Sequence, residues 1–70
     1  MFEYNGYGIN VYGFIKIIYL DDNRFEFAYK NKKLIVKGKQ LKAINLLDKS
    51  MDIKGVLEGI EIKYKGDISD

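Results

Sequence analysis

The sequence predicts an all-β protein, and three observations carry this prediction. Apolar residues alternate with other residues at a period of two, which is typical of strands. Clusters of Asp, Asn, Lys and Gly recur at short intervals, and no long segment has helical periodicity. We therefore expect a single domain over residues 1–70. It would be an antiparallel meander, roll or sandwich of about five to seven short strands, with its core at 8–64 and a frayed tail at 65–70.

The first half of the chain predicts two strands and a hairpin. Apolar residues occupy most odd positions of residues 7–20, and Gly13 within this pattern predicts a bend or bulge. Asp21-Asp22-Asn23 predicts a turn, because short Asx side chains bond back to the backbone. Residues 24–30 then alternate cleanly. The aromatic residues on one face of this strand are Phe25, Phe27 and Tyr29.

The middle of the chain predicts a turn, a strand and a second, tighter turn. Asn31-Lys32-Lys33 forms the first turn, the strand begins at Leu34, and Gly38-Lys39-Gln40 forms the tight turn. Residues 41–48 are ambiguous, because their Lys, Ala and Leu content also suits a short helix. Their length, the flanking turn signals and the lack of an N-cap residue favour a strand.

The last third of the chain predicts a turn at Asp48-Lys49-Ser50 and then a change of phase. Met51 and Ile53 lie at odd positions and would face one side of a strand, whereas the apolar residues from Ile60 onward lie at even positions and would face the other side. A bulge or corner is therefore expected within residues 55–59.

A short internal repeat supports an alternative architecture. Ile35-Val36-Lys37-Gly38 resembles Asp52-Ile53-Lys54-Gly55 further along the chain. Regular repetition of this kind is typical of solenoids. A short β-solenoid-like stack is therefore the alternative to the antiparallel sheet.

Composition limits the function classes. The chain has no Cys and no His, which removes disulfides, thiolate chemistry and the usual zinc ligands. A domain of this size has a marginal core, so association with other subunits is expected, most simply as a homo-oligomer. No apolar run reaches transmembrane length and no secretory signal is visible, so a cytoplasmic location is expected.

Each candidate catalytic or cofactor motif in the sequence lacks a residue that the chemistry requires. A nucleophilic Ser50 or Ser69 has no His to activate it, and Asp21-Asp22 lacks the further ligands of a calcium loop. Gly6-Tyr7-Gly8 lacks the third glycine of a dinucleotide fingerprint, because Val11 stands there. We therefore expect no enzyme activity, no cofactor and no metal.

A lysine-rich segment, residues 30–42, is the basis of the main binding hypothesis. With exposed aromatic residues it could bind single-stranded nucleic acid, or the lysines could simply solvate turns and protect edges. The basic side chains lie at both ends of a strand, and Lys suits bidentate phosphate recognition less well than Arg, so nucleic-acid binding is the less favoured hypothesis. The candidate interaction residues are Lys30, Lys32, Lys33, Lys37, Lys39, Lys42, Tyr12 and Tyr29, with Phe27 as a further stacking candidate.

Residues 30–62 carry a pattern of glycine and apolar residues. An apolar strand ends in an Ile-x-Gly-like element, and a second strand, a polar turn and an apolar-x-Gly segment follow. The residues that carry the pattern are Leu34, Val36, Gly38, Leu41, Ile44, Leu46, Ile53, Gly55, Leu57, Ile60 and Ile62. This segment resembles the body of the YabP/YqfC family of bacterial sporulation proteins, and the likeness extends over about residues 8–64.

The resemblance implies a non-enzymatic all-β protein in the mother-cell cytoplasm of an endospore former. There it would support assembly of the spore envelope or coat, through self-association and contacts with other sporulation or envelope proteins. Any peripheral association with a membrane would come through a partner. No catalytic residue is carried over by this likeness.

Overall fold

The computed structural model describes residues 1–6 and 8–65, which form six strands in one antiparallel sheet. The sheet order is β1-β2-β6-β5-β4-β3, and the described residues contain no α-helix. The all-β prediction is therefore confirmed. The strands are β1 (Phe2–Tyr4), β2 (Gly8–Tyr12), β3 (Lys16–Leu20), β4 (Arg24–Ala28), β5 (Lys32–Leu47) and β6 (Ser50–Tyr64).

A long hairpin of β5 and β6 organises the sheet. Residues 32–39 of β5 pair with residues 56–64 of β6, and β4 and β3 extend this part, which we call the base arm. Residues 42–47 of β5 pair with residues 50–54 of β6, and β2 and β1 extend this second part, the tip arm. Side chains from both arms enter one core, so the sheet is curled on itself.

The hairpin bends between the two arms because both strands change backbone conformation there. Gly55 has φ 133° and Gln40 has φ 54°, which an L-residue seldom adopts. A Cβ atom on Gly38 would collide with the carbonyl oxygen of Val56. Glycine at this position therefore allows the two backbones to approach each other at the bend.

The bend corrects one sequence prediction and confirms two others. Gly38-Lys39-Gln40 is not a tight turn between two strands, because β5 continues through it beside the same partner strand. Residues 41–47 are strand, as favoured over a helix. The phase change expected within residues 55–59 is also present, since Gly38 pairs with Leu57 and Lys37 with Gly59, leaving Glu58 as the extra residue.

The solenoid alternative is wrong. The two similar segments, residues 35–38 and 52–55, lie on neighbouring antiparallel strands and in different arms of the hairpin. Repeated rungs of a solenoid would instead stack in parallel. Each segment ends at a glycine of the bend, which accounts for their shared Lys-Gly ending.

A corner at Gly13 connects the tip arm to the base arm. Gly13 has φ 78°, and its backbone N–H donates to the Lys49 carbonyl at the hairpin tip. The chain then crosses to β3 at the opposite end of the sheet. The predicted bend is confirmed. Val11 at an odd position before Gly13 and Phe14 at an even position after it are both buried, so the alternation of buried residues shifts by one at the corner.

The core lies on the concave side of the curled sheet. Phe27 contacts Phe14 with 5.0 Å between ring centroids, which joins β4 to the corner. Ile60 and Ile62 pack against the core from β6. The buried core residues are Ile9, Val11, Phe14, Phe25, Phe27, Leu34, Val36, Leu41, Met51 and Ile53.

The predicted frayed tail is described only at its first residue. The Lys65 backbone N–H donates to the Asn31 carbonyl at 2.9 Å, so the chain is still attached to the sheet there. Residues 66–70 lie outside the described residues, as does Tyr7.

Candidate interaction surface

Half of the candidate lysines form ion pairs with acids from neighbouring strands. Lys33 lies 3.0 Å from Glu26 of β4, while Lys37 lies 3.3 Å from Glu61 of β6. Lys39 lies 3.7 Å from Glu58. The lysine-rich segment carries no acid of its own, but the sheet places acids beside it. About half of its positive charge is therefore compensated by ion pairs.

The other candidate lysines do not form one patch. Lys30 is exposed in the turn before β5, and the Lys32 ammonium lies 5.8 Å from the Tyr29 ring centroid. Lys42 lies in the tip arm, directly opposite Lys54 of β6. The segment thus extends along a bent strand instead of forming a loop around a ligand.

Lys42 and Lys54 line a groove of about 400 Å³ at the bend. Directly opposed like charges on neighbouring strands are unfavourable. Neither lysine has an ion pair among the described residues. The other residues lining the groove are Asp22, Gln40, Leu41 and Gly55.

The structure brings Tyr12 and Tyr29 together, but not as a stacking platform. The Tyr29 hydroxyl lies 2.8 Å from the Tyr12 carbonyl and 3.2 Å from the Met1 carbonyl, so its proton is shared at the corner. Burial raises the pKa of Tyr29 to about 12, with a smaller contribution from Tyr12. Phe27 is fully buried, so the proposal that it stacks on bases is wrong.

Glu26 is a buried charged residue that the sequence did not single out. Its carboxylate lies 2.9 Å from Arg24 and 3.0 Å from Lys33, which flank it on the convex face of the sheet. The alternation in β4 indicated correctly that Glu26 faces away from the core. Its burial under these two side chains depends on Lys33, which comes from another strand.

A polar cluster lies on the convex face of the tip arm. The Asn10 amide donates to one carboxylate oxygen of Asp52 at 2.7 Å, and the Asn45 amide donates to the other at 3.0 Å. The Asn45 bond and then the Asn10 bond lower the pKa of Asp52. The Asp52 carboxylate of β6 therefore connects this strand to β2 and β5.

The turn between β3 and β4 is built as the sequence predicted. One carboxylate oxygen of Asp21 accepts the backbone N–H groups of Asn23 and Arg24, both at 2.8 Å. The other accepts the Tyr19 hydroxyl at 2.7 Å, which is the largest cause of the lowered pKa of Asp21 and the raised pKa of Tyr19. Arg24 lies 4.6 Å from the Tyr19 ring centroid.

Strand β3 is an edge of the sheet and exposes a run of large apolar side chains. It pairs with β4 on one side and with no described strand on the other. A bulge between Ile17 and Tyr19 interrupts its pairing with β4. The exposed fractions are 56% for Ile15, just before the strand, 45% for Ile18, 41% for Tyr19 and 46% for Leu20. We call these four residues the β3 edge surface.

The residues of the family-like pattern serve the core and the bend. Leu34, Val36, Leu41 and Ile53 are buried, and Ile60 and Ile62 are partly buried against them. Gly38 and Gly55 lie at the bend. Ile44 and Leu57 are partly buried, whereas Leu46 is exposed. Most of the pattern residues therefore determine the shape of the domain.

Comparisons of the chain with protein-family models, curated proteins and solved structures found no match. Within residues 1–6 and 8–65, no helix has the length and apolar character needed to cross a membrane. The same residues contain no group of three acidic, His or Cys side chains arranged to hold a metal ion.

Proposed function

We propose that this protein is a non-enzymatic β-module that acts by self-association and by contacts with other proteins. The observation that carries the proposal is the β3 edge surface. A strand with one unpaired edge and exposed apolar side chains is a template for another chain, and natural proteins seldom leave one uncovered. Ile15, Ile18 and Leu20 account for most of its apolar character.

The size of the domain supports self-association. A chain of 70 residues without cysteine relies on a small core for its stability. Burial of an exposed apolar edge against a second subunit adds to that core. The resemblance to YabP/YqfC proteins supplies the biological setting, namely assembly of the spore envelope or coat in the mother-cell cytoplasm.

Sedimentation velocity at increasing protein concentration tests the association. We expect the sedimentation coefficient to rise above that of the 8.1-kDa monomer across the micromolar range. Ile18→Lys should shift the equilibrium towards monomer, because a charge on an edge strand opposes pairing. Leu47→Lys is the matched control, since Leu47 is exposed at the hairpin tip. A monomer at every concentration, or equal effects of both substitutions, would contradict the proposal.

A deletion in an endospore-forming host that encodes the protein tests the setting. We expect spores with an incomplete coat or envelope and reduced resistance to lysozyme. The wild-type and Leu47→Lys genes should restore resistance, whereas Ile18→Lys should not. Fully resistant spores from the deletion strain would reject the role in sporulation but not the self-association.

A second candidate function is binding of single-stranded nucleic acid, favoured by Lys42 and Lys54, which lie opposite each other in the groove and have no ion pair among the described residues. The phosphate backbone would relieve the repulsion between the two ammonium groups. Fluorescence anisotropy of labelled oligonucleotides at low salt tests it, since such binding weakens steeply as salt is added. Lys42→Glu should reduce binding far more than the exposed control Lys30→Glu. An unchanged anisotropy at low salt would reject this function.

A further inference from the structure

Residues 59–64 of β6 form a second uncovered edge of the sheet. In the base arm, β6 pairs with β5 on one side and with no described strand on the other, because its pairing with β2 ends at Lys54. Tyr64 at the end of this segment is 56% exposed, and Ile60 and Ile62 are only partly buried. The base arm therefore has a free strand at each side, β3 at one and this segment, which we call the β6 edge, at the other.

The convex face of the β6 edge carries an acid and a base two positions apart. Lys63 lies directly opposite Lys33 of β5, an unfavourable arrangement of like charges, and Lys33 forms its own ion pair with Glu26. Lys63 has no ion pair among residues 1–6 and 8–65. Glu61 is half exposed and lies 3.3 Å from Lys37 of β5. Lys63 therefore lacks an acid that the free side of the edge could receive from another chain.

We propose that the β6 edge pairs with the β6 edge of a second copy, antiparallel and centred on Ile62, around a two-fold axis perpendicular to the sheet. This inference rests on the proposed self-association and adds to it a second contact, separate from the β3 edge surface. A pair centred on Ile62 puts Glu61 of each copy directly opposite Lys63 of the other. Lys63 thereby gains the acid that it lacks in the monomer.

The neighbouring registers are less favourable than this one. Centring the pair on Glu61 or on Lys63 would place like charges directly opposite each other, whereas centring it on Ile60 would place Glu61 opposite Gly59. On the concave side, the favoured register pairs Ile60 of each copy with Tyr64 of the other, and pairs of aromatic and β-branched residues stabilise antiparallel strands. The charges and the apolar side chains therefore select the same register.

The position of the β6 edge determines the kind of assembly that follows. A two-fold contact through one edge alone joins two copies and then closes. The β3 edge surface and the β6 edge lie at opposite sides of the base arm, so a copy that uses both has two neighbours. We therefore expect open chains of copies when both edges are intact, and dimers when only the β6 edge is.

Single-cysteine cross-linking tests the register, because the chain has no native cysteine. The variants carry Ile18→Lys, which disables the β3 edge surface and leaves the β6 edge free. In the proposed dimer, the Cα atoms of two Ile62→Cys copies lie roughly 5 Å apart, within disulfide range, whereas those of two Ile60→Cys copies lie about 13 Å apart. We expect oxidation to yield a covalent dimer for Ile62→Cys only. No dimer from Ile62→Cys, or equal amounts from both variants, would overturn the register.

Charge reversal tests the same contact at exposed residues, without a change in the core. In the Ile18→Lys background, Glu61→Lys and Lys63→Glu should each weaken dimerisation by roughly fivefold or more, because each places like charges opposite each other twice. The double variant should recover most of the affinity of its parent. Lys30→Glu, at an exposed turn lysine outside the edge, should leave dimerisation unchanged.

The outcomes separate this contact from the β3 edge surface. Recovery in the double variant supports pairing of the β6 edges. If wild type self-associates while Ile18→Lys is monomeric throughout the micromolar range, the β6 contact is overturned and the β3 edge surface stands. A dimer of Ile18→Lys that neither reversal weakens, or that the double variant does not restore, overturns the register. A wild-type protein that is monomeric throughout this range overturns both proposals.

Discussion

The Tyr29 hydroxyl lies 2.8 Å from the carbonyl oxygen of Tyr12, and this hydrogen bond connects the base arm to the end of β2. Tyr29 follows β4 directly, and Tyr12 is the last residue before the corner at Gly13. The same hydroxyl reaches the Met1 carbonyl at 3.2 Å. One side chain therefore holds the N-terminus and the corner against the opposite end of the sheet.

Tyr29→Phe removes this hydroxyl and leaves the ring in place. We expect the free energy of unfolding to fall by about 1 kcal/mol, the usual net value of such a hydrogen bond. Urea denaturation followed by circular dichroism measures the change. Tyr64→Phe is the control, because Tyr64 is exposed and has no hydrogen bond among the described residues. Equal stability of Tyr29→Phe and wild type would contradict the structural role.

Alkaline pH should destabilise the protein partly through Tyr29. Burial raises its pKa from 10.0 to about 12 in the folded chain. Between these values the unfolded chain has lost the phenol proton while the folded chain retains it, so the free energy of unfolding falls as pH rises. Denaturation at pH about 9 and about 11 should show a smaller decrease for Tyr29→Phe than for wild type. Identical decreases would contradict the raised pKa.

Gly38→Ala should strain the bend of the long hairpin. The added Cβ would collide with the Val56 carbonyl oxygen and lie 2.9 Å from a methyl carbon of Leu41. We expect a loss of about 2–3 kcal/mol in the free energy of unfolding, as for other overpacked sites. The matched control is Gly59→Ala, since nothing lies within 4 Å of a Cβ at Gly59. If the two substitutions cost the same, steric crowding at the bend is not the reason for glycine at position 38.

Glu26→Gln keeps the shape of the side chain but removes its charge. We expect a loss of about 1 kcal/mol, a modest value because Arg24 is half exposed and solvent screens its ion pair. The measurement is urea denaturation at low and high salt, where wild type should lose more stability on adding salt than the variant does. Glu3→Gln, at an exposed residue of β1 without an ion pair among the described residues, should change neither quantity. A salt response equal to that of wild type would contradict the role of the ion pairs.

Local signals predicted the turn at Asp21 well, but Lys32 and Lys33 of the predicted Asn31-Lys32-Lys33 turn belong to β5, and Gly38 had two possible meanings. Asp21 closes its turn through its own carboxylate and neighbouring backbone, so a few adjacent residues suffice to predict it. Gly38 permits either a tight turn or a close approach of two backbones. The structure uses the second, because Gly55 and Gln40 bend the partner strand and β5 at the same place. Gln40 and Gly55 are distant in sequence, so local signals do not indicate that the two strands bend at the same place.

The candidate interaction residues show the same limit. The lysine-rich segment was correctly identified as basic, but the acids that pair with it come from β4 and β6. The exposed apolar edge was also not predictable, because the alternation near Ile18 did not indicate which strand ends the sheet. Strand order depends on which segments pair over long distances.

The sequence by itself determined the strand class and the main turns, because the period of two and the Asx and glycine signals act between near neighbours. It placed Phe25 and Phe27 on one face of a strand, and both are buried, but the same alternation did not indicate that Ile15, Tyr19 and Leu46 are exposed. Only the tertiary structure decided that β5 and β6 bend together, that Glu26 is buried, and that β3 is left as an exposed edge. These features arise from pairing between remote segments, where the register and the bulges of one strand depend on those of its partner.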